Sequence, residues 1–447
     1  MTAFVLSLLR VGGVALLASV LGWGISSALF PRRREFRLER LGWSYAIACG
    51  LLASFVPLSF LLHVRPGWIG FGILSGACLA ISLGFRVSGF APETAPAEPE
   101  PRDPKRETPL AVGVLGALVI LGVAVFALQA LTEPMWSNDF LAIWGLKGKT
   151  IFGSAALPAR LYASSELGFS HPEYPLGLPF LYAGVSFLTG RWDDHAMALL
   201  FPLFQISTLA VLCGWLRRRG ASREVVLCAA AILANFEPLY SGFLTGLAEV
   251  PLAFGLLLFG TALCDAADPR DRGALRRLAL AAAVIAATKN EGLFFAAAGC
   301  ALALLFGGPR RLRLALTALP SALLVHSLHL AWRGRLPLRD LDFSSFSFGR
   351  LGEALASATR LPGLIGIAGL GLGAVLIFLG SPDACSRRLL ALAACGCAAY
   401  LVLPAFAVRG PEWLIQTTLL RTCAGLAPLV GAAIARRYAA RAGPSPG

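Results

Sequence analysis

The sequence is poor in charged residues, which make up 14% of its 447 positions, whereas soluble domains carry about 25%. The deficit extends along the chain, because apolar stretches recur from Ala3 to Ile434. This composition excludes a water-soluble core beneath a polar surface. It indicates instead a helical bundle whose solvent is lipid.

Other functional patterns are also missing. No basic stripe interleaved with aromatics is present, so the net charge of +14 does not indicate nucleic acid; arginines in short loops between spans account for it. Glycines between 363 and 373 lie in an apolar run, which predicts helix packing and not a nucleotide loop. The first residues lack a basic segment and a cleavage site, so we expect no cleavable signal. No metal-ligand pattern is found, and none of the cysteines falls in a long outward loop, which argues against disulfides.

The apolar stretches predict an all-α membrane protein with roughly 13 transmembrane helices. We place them at about 3–30, 41–62, 67–86, 110–131, 195–216, 225–240, 249–264, 276–289, 291–307, 314–332, 361–380, 389–408 and 416–435. Arginine clusters follow the odd-numbered spans. Because cytoplasmic loops are rich in Lys and Arg, this predicts an N-terminus outside and a C-terminus in the cytoplasm.

The chain divides into four predicted parts. They are an N-terminal three-span bundle (1–90), a Pro- and Glu-rich cytoplasmic linker (91–109), a core (110–310) with a long outer loop (132–194), and C-terminal transmembrane helices (311–447). Residues 173–190 are apolar, but counting them as a span would invert half of the arginine clusters. We therefore interpret them as a re-entrant or interfacial helix on the outer face.

The outer loop opens with a segment rich in charged and indole side chains, Trp136 to Lys149. On a helix, Asp139 and Lys147 lie within roughly 80° of each other. Trp136 shares the side of Asp139, and Trp144 flanks Lys147. A carboxylate, ammonium groups and indoles on one helix suit a sugar and a phosphate. The alternative is an interfacial helix whose tryptophans and lysines reach the lipid headgroups.

A second polar element is His171-Pro-Glu173-Tyr174-Pro, just before the predicted short helix. Its two prolines stiffen the turn and direct His171, Glu173 and Tyr174 outward. The alternative is a rigid entry to the helix without a chemical role.

Charged residues also interrupt apolar runs farther along the chain. A charge at the centre of a span costs about 2.5–3.5 kcal/mol. Lys289 and Glu291 therefore mark a helix break or line a polar cavity, with a plain loop ion pair as the alternative. Glu249 stands at the mouth of a span ahead of a proline. Arg421 lies roughly 7–8 Å inside the last span, which suggests a functional site or a pairing with another span.

Taken in order, these elements resemble the GT-C superfamily of polyprenyl-phosphate-sugar glycosyltransferases. The likeness is to the bacterial branch related to protein mannosyltransferases and lipid A aminoarabinose transferases, and it covers roughly 110–310. WSNDFLAIWGLKGK matches the outer-loop acid at Asp139, and HPEYPLGLPFLYAG matches the entry to a juxtamembrane helix. GLAEVP resembles the second acid, at Glu249, and TKNEG the later lysine-bearing break. The chain departs from the family in its three preceding spans and its lack of a large soluble C-terminal domain.

The resemblance implies inverting transfer of a sugar from a polyprenyl phosphate to a lipid or glycan acceptor at the outer face of a bacterial inner membrane. Asp139 would be the general base, with Glu173 and Glu249 binding sugar hydroxyls or assisting it. The phosphate would be held by cations chosen from Lys147, Lys149, His171, Lys289 and Arg421, with Trp136, Trp144, Tyr174 and Glu291 as further substrate contacts. The need for a divalent metal stays open. The alternative is a transporter or flippase of a lipid-linked saccharide, against which the lack of an internal repeat weighs.

Overall fold

The computed structural model describes residues 1–30, 37–87, 108–157, 169–268, 271, 273–306, 308–333, 344, 346–360 and 383–441. These residues form helices and no β-strand. The main helices are α1 (Thr2–Ser26), α2 (Arg37–Leu61), α3 (Trp68–Val87), α4 (Pro109–Thr132), α5 (Gly145–Ser154), α6 (Gly177–Thr189), α7 (Leu200–Arg218), α8 (Arg223–Ala234), α9 (Glu249–Ala266), α10 (Ala274–Thr288), α11 (Asn290–Phe306), α12 (Arg311–Arg333), α13 (Phe348–Thr359), α14 (Ala384–Val402) and α15 (Ala427–Arg441). Most of the predicted linker 91–109 and all of the predicted span 361–380 lie outside the described residues.

Seven helical stretches in the described part of the chain are long and apolar enough to cross a membrane. They are Thr2–Ser26, Arg37–Leu61, Pro109–Thr132, Asp194–Arg218, Glu249–Ala266, Ala384–Phe406 and Pro411–Ala440. The chain therefore has the build of a helical membrane protein. Seven is fewer than the roughly 13 spans predicted, partly because several predicted spans form short helices. α8 has 12 residues and α10 has 15, whereas a span needs about 20.

Helix α9 is the centre of the bundle, and all 18 of its residues are buried. It packs against α7, α10, α11, α14 and α15. Glycine makes part of this packing possible, because a Cβ at Gly260 would stand 2.6 Å from Leu429 Cδ2 and 2.8 Å from Leu389 Cδ2. Close approach at small residues is how helices associate where lipid removes the hydrophobic driving force.

Helix α6 is the segment that the charge pattern excluded from the span count. Its 13 residues extend roughly 20 Å, which is too short to cross the hydrocarbon core. Ten of the 13 are buried, and the helix packs against α1, α2, α5 and α10. An isolated interfacial helix would expose one face to lipid, whereas other helices of the protein cover most of α6. Gly184 permits the burial, because a Cβ there would lie 2.1 Å from the Leu52 carbonyl oxygen.

A buried ion network closes the C-terminal end of α9. Asp265 contacts three guanidinium groups, those of Arg218 at 2.5 Å, Arg219 at 2.6 Å and Arg277 at 3.2 Å. Arg218 also reaches Glu39 on α2 at 3.0 Å. The arginines that the sequence analysis used as markers of topology thus also tie α2, α7, α9 and α10 together.

Candidate active site

Two π-helical segments carry the residues at the middle of the site. Asp139 directly precedes the segment Phe140–Trp144, which continues into α5. Arg421 follows the segment Ile415–Leu419 after one residue. A π turn holds more residues than an α turn and is often found at functional sites, because it redirects the side chains around it. Here it shifts the register between Asp139 and Lys147 from that of the α-helix assumed in the sequence analysis.

Five charged side chains meet in one chain of ion pairs, which we call the Arg421 cluster. The Arg421 guanidinium lies between two carboxylates, with Nη2 2.6 Å from Asp139 Oδ2 and Nε 3.2 Å from Glu249 Oε1. Lys289 Nζ continues the chain, 3.3 Å from Glu249 Oε1 and 2.9 Å from Glu291 Oε1. The structure therefore brings together residues that the sequence suggested from four separate segments.

The local backbone explains why Glu249, Lys289 and Glu291 converge. Glu249 is the first residue of α9, where the helix dipole favours an acid. Lys289 lies in extended conformation between α10 and α11, and Glu291 is in the first turn of α11. The predicted helix break at this point is confirmed. Gly292 makes it possible, because a Cβ there would stand 1.9 Å from the Ile285 carbonyl oxygen.

A second group, the Lys147 cluster, consists of Trp144, Lys147, His171, Glu173 and Tyr174. Lys147 Nζ donates to the His171 carbonyl oxygen at 2.5 Å, and His171 Nδ1 is 2.9 Å from Glu173 Oε1. The rings of Trp144, Tyr174 and His171 form one stack, with centroids 5.3 Å and 5.0 Å apart. Lys147 Nζ lies 5.9 Å from the centroids of both Trp144 and Tyr174, within the range of a cation–π interaction.

The backbone of His171 is strained. Its φ is +50°, a region that non-glycine residues seldom adopt. In this conformation the His171 carbonyl oxygen faces the Lys147 ammonium group. Such strain persists where the surrounding structure imposes it, and it is concentrated at functional sites. The prolines at 172 and 175 therefore belong to a constrained turn.

Burial sets the protonation of the Lys147 cluster. Lys147 is fully buried, which lowers its pKa to about 7 despite the opposing charge of Glu173. Burial acts to raise the pKa of Glu173, but the hydrogen bond from His171 and the charges of His171 and Lys147 outweigh it, so the pKa lies below its ordinary value. The cluster can therefore hold a carboxylate beside an amine that exchanges its proton near neutral pH.

The two clusters are neighbours. Asp139 and Lys147 belong to one continuous helical run, and Tyr174 is within electrostatic range of the Arg421 guanidinium. Among the described residues, the buried atoms Glu249 Oε2, Thr245 Oγ1 and Ser170 Oγ have no hydrogen-bond partner. Buried polar atoms are nearly always paired in native proteins. Glu249 belongs to the Arg421 cluster and Ser170 directly precedes His171, so their unpaired oxygens indicate a place for a polar ligand.

Two of the residues suggested from the sequence lie apart from these clusters. Trp136 is half exposed, and its ring packs edge-to-face on Phe243 at 5.7 Å. Lys149 is exposed on α5. No three His, Cys, Asp or Glu side chains in the described part of the chain are grouped so as to hold a metal ion.

A large apolar groove has Arg421 in its lining, and nothing in the sequence analysis anticipated this groove. Its volume is about 1690 Å³, and its walls come from α4, α8, α11, α14 and the C-terminal helical run. Arg421 and Tyr438 both line it, and they lie roughly 25 Å apart along the helical stretch Pro411–Ala440. To predict the groove one would have to know which helices are neighbours in the fold, and a single sequence does not give this.

Comparison with protein-family models, curated proteins and solved structures found no match to this chain.

Proposed function

We propose that the protein is an inverting GT-C-type glycosyltransferase. It transfers a sugar from a polyprenyl phosphate to a lipid or glycan acceptor. The observation that carries this proposal is the apolar groove whose lining includes the Arg421 guanidinium. A long hydrocarbon chain with a phosphate at one end matches an apolar groove with a guanidinium in its lining.

The polar clusters supply what the chemistry of transfer needs. Asp139 is partly exposed and pairs with Arg421, which lines the groove. As general base, it takes the proton of an acceptor hydroxyl while that oxygen forms a bond to the anomeric carbon. The bond from the anomeric carbon to the phosphate oxygen breaks on the opposite face of the sugar, which inverts the configuration. The phosphate leaves with its added negative charge, and Arg421 and Lys289 stabilise it.

The other residues take supporting roles in this proposal. Glu249 is fully buried against both Arg421 and Lys289, so it positions the cations and does not act as a base. Tyr174 and His171 are the partly exposed rings of the stack and offer a surface for a sugar ring, while Trp144 is buried and supports them. Lys147 and Glu173 are buried and fix the strained turn. Lys149 and Trp136 are not assigned a role in the transfer reaction.

The proposal includes the topology suggested by the arginine clusters. With roughly 13 spans, an outside N-terminus and a cytoplasmic C-terminus, both clusters face the outer side of a bacterial inner membrane. Nucleotide sugars are scarce there, and a lipid-linked donor suits that location. The described residues also form no nucleotide-binding strand and loop.

A transporter or flippase of a lipid-linked saccharide is the second candidate. It would use the same cations but would not need a base. Such a protein needs polar groups along the path of the saccharide, as membrane transporters have around their substrates. The groove is lined mainly by apolar side chains between its ends, and its charged lining residues are Glu224, Glu237 and Arg421. This favours a site for a lipid tail over a path for a sugar.

The test is sugar transfer by the purified protein in detergent. Radiolabelled polyprenyl-phosphate sugars are supplied with a crude pool of lipid and glycan acceptors. We expect free polyprenyl phosphate to be released as the label moves to an acceptor. Asp139→Asn should slow this transfer by about 10²- to 10⁴-fold, the usual contribution of a general base.

Glu133→Gln is the matched control, because Glu133 is an exposed acid in the same loop; it should transfer at the wild-type rate. A normal rate for Asp139→Asn would remove Asp139 from the mechanism. Donor binding without turnover in all three proteins would support the transporter instead.

A further inference from the structure

Arg421 bridges two carboxylates that differ sharply in burial. The Asp139 side chain is 31% exposed and that of Glu249 is 2% exposed. The contact to Asp139 is the shorter of the two, at 2.6 Å against 3.2 Å. The proposed base is thus held by the same guanidinium that is proposed to receive the donor phosphate.

The charge balance of the Arg421 cluster does not favour a further anion. Three carboxylates, those of Asp139, Glu249 and Glu291, face two cations, Arg421 and Lys289. A phosphate that approaches Arg421 therefore competes with its two carboxylates for the guanidinium. Glu249 is enclosed in the bundle and also contacts Lys289. Asp139 is the partly exposed partner, at the start of a π-helical segment.

We propose that the donor phosphate displaces Asp139 from Arg421, so that the base is free only when the donor is in place. This inference rests on the proposed function. Until then the guanidinium competes with an acceptor hydroxyl for Asp139 Oδ2. π-helical segments lie beside both residues, and such interruptions of the α-helix are frequent at functional sites. Substrates then bind in a fixed order, donor before acceptor, and Arg421 acts as a positioning residue as well as a phosphate ligand.

The test measures whether Asp139 becomes accessible, and it does not need sugar transfer. The protein in detergent is treated with a hydrophobic carbodiimide, and modification of Asp139 is quantified by mass spectrometry of the peptide. Farnesyl phosphate serves as the probe, and farnesol, which has the same chain without the phosphate, serves as the control ligand. We expect farnesyl phosphate to increase modification of Asp139 several-fold and farnesol to leave it unchanged.

Variants distinguish release of Asp139 from a general opening of the protein. In Arg421→Gln, Asp139 should be modified readily without ligand and should not respond to farnesyl phosphate. Modification of Glu353, an exposed acid on α13, should be the same in every sample. Unchanged modification of Asp139 while farnesyl phosphate binds the wild type would overturn the inference, and so would binding that does not depend on Arg421.

The outcome is separable from that of the transfer assay. If sugar is transferred but farnesyl phosphate does not change the modification of Asp139, the proposed function is supported and the ordered release of Asp139 is rejected. If farnesyl phosphate releases Asp139 but no sugar is transferred, the displacement is supported and the transferase function is rejected.

Discussion

Glu249 and Asp265 stand at opposite ends of one fully buried helix, α9, roughly 24 Å apart, and each is neutralised by cations from other helices. Glu249, at the N-terminus, is favoured by the helix dipole, and two cations contact it. Asp265, near the C-terminus, is opposed by the dipole, and three arginines surround it. We interpret the first end as the place of chemistry and the second as the anchor of the bundle.

Asp265→Asn should destabilise the fold strongly, because it leaves buried arginines without their common carboxylate. Breaking a buried ion pair by removing one partner costs about 3–5 kcal/mol. Unfolding in detergent by heat or denaturant measures this loss. Glu353→Gln, an exposed acid on α13, should change the free energy of unfolding by about 0.5 kcal/mol or less. Equal stability of both variants would show that the arginines do not need Asp265.

Lys147 should make the stability depend on pH. Its pKa is lowered by burial to about 7, whereas an unfolded lysine titrates near 10.4. Between these values the unfolded chain binds a proton that the folded protein does not. The stability that depends on this group therefore rises with pH by about 1.4 kcal/mol per pH unit, from about pH 7 to about pH 10.

The comparison is with Lys147→Met, which cannot titrate. Melting temperatures of wild type and variant are measured from pH 7 to pH 9, and the wild type should gain relative to the variant. Lys149→Met removes an exposed lysine of the same helix and should follow the wild type. Parallel curves for Lys147→Met and wild type would mean that Lys147 keeps its proton when buried.

Two glycines of α4 should respond oppositely to alanine. A Cβ at Gly122 would lie 2.6 Å from the Ala234 carbonyl oxygen on α8, whereas a Cβ at Gly116 meets nothing within 4 Å. Gly122→Ala should destabilise the protein by about 1–3 kcal/mol, because it forces the two groove-forming helices apart. Gly116→Ala should stabilise it by up to about 1 kcal/mol through helix propensity. Thermal unfolding of both variants is the measurement, and a loss for Gly116→Ala would contradict this packing.

Filling the groove should discriminate between donors by chain length. Ala394 lines the groove on α14, so Ala394→Trp places an indole in the path of a long polyprenyl tail. An overpacked contact of about 1–3 kcal/mol corresponds to roughly a 5- to 150-fold rise in KM. A short-chain donor that ends before this point should keep its KM. Ala117→Trp, at an exposed position of α4 outside the groove lining, should leave both values unchanged, and an equal effect of the two variants would argue against a tail site.

Helix positions could be predicted well where charged residues flank an apolar run. Residues 110–131 were predicted and Pro109–Thr132 is observed; for the central helix, 249–264 was predicted and Glu249–Ala266 is observed. Hydropathy could not predict that α6 would be enclosed on nearly all sides. That depends on Gly184 meeting the backbone of α2, which is a relation between segments distant in sequence.

The candidate site could be predicted in its residue types but not in its contacts. Charges inside apolar runs drew attention to Asp139, Glu249, Lys289 and Arg421, because such charges are costly without partners. The sequence did not reveal that Asp139 and Arg421 form an ion pair. Asp139 lies near the start of the core segment and Arg421 near the end of the C-terminal segment, so the two residues are far apart in sequence. Asp265 could have been noticed by the same rule, because it is an acid at the end of an apolar run with arginines on both sides in sequence.

The two π-helical segments make the site sensitive to chain length as well as to side-chain identity. Each segment holds one residue more than an α turn would need. Deleting one residue from Phe140–Trp144 would remove the extra residue and leave the flanking turns close to their present rotation about the helix axis. Inserting a residue there would instead rotate α5 by about 100° relative to Asp139, and Lys147 would leave the His171 carbonyl oxygen. Deletions and insertions of one residue would therefore have unequal effects on the distance between the two clusters, although neither changes a side chain of the site.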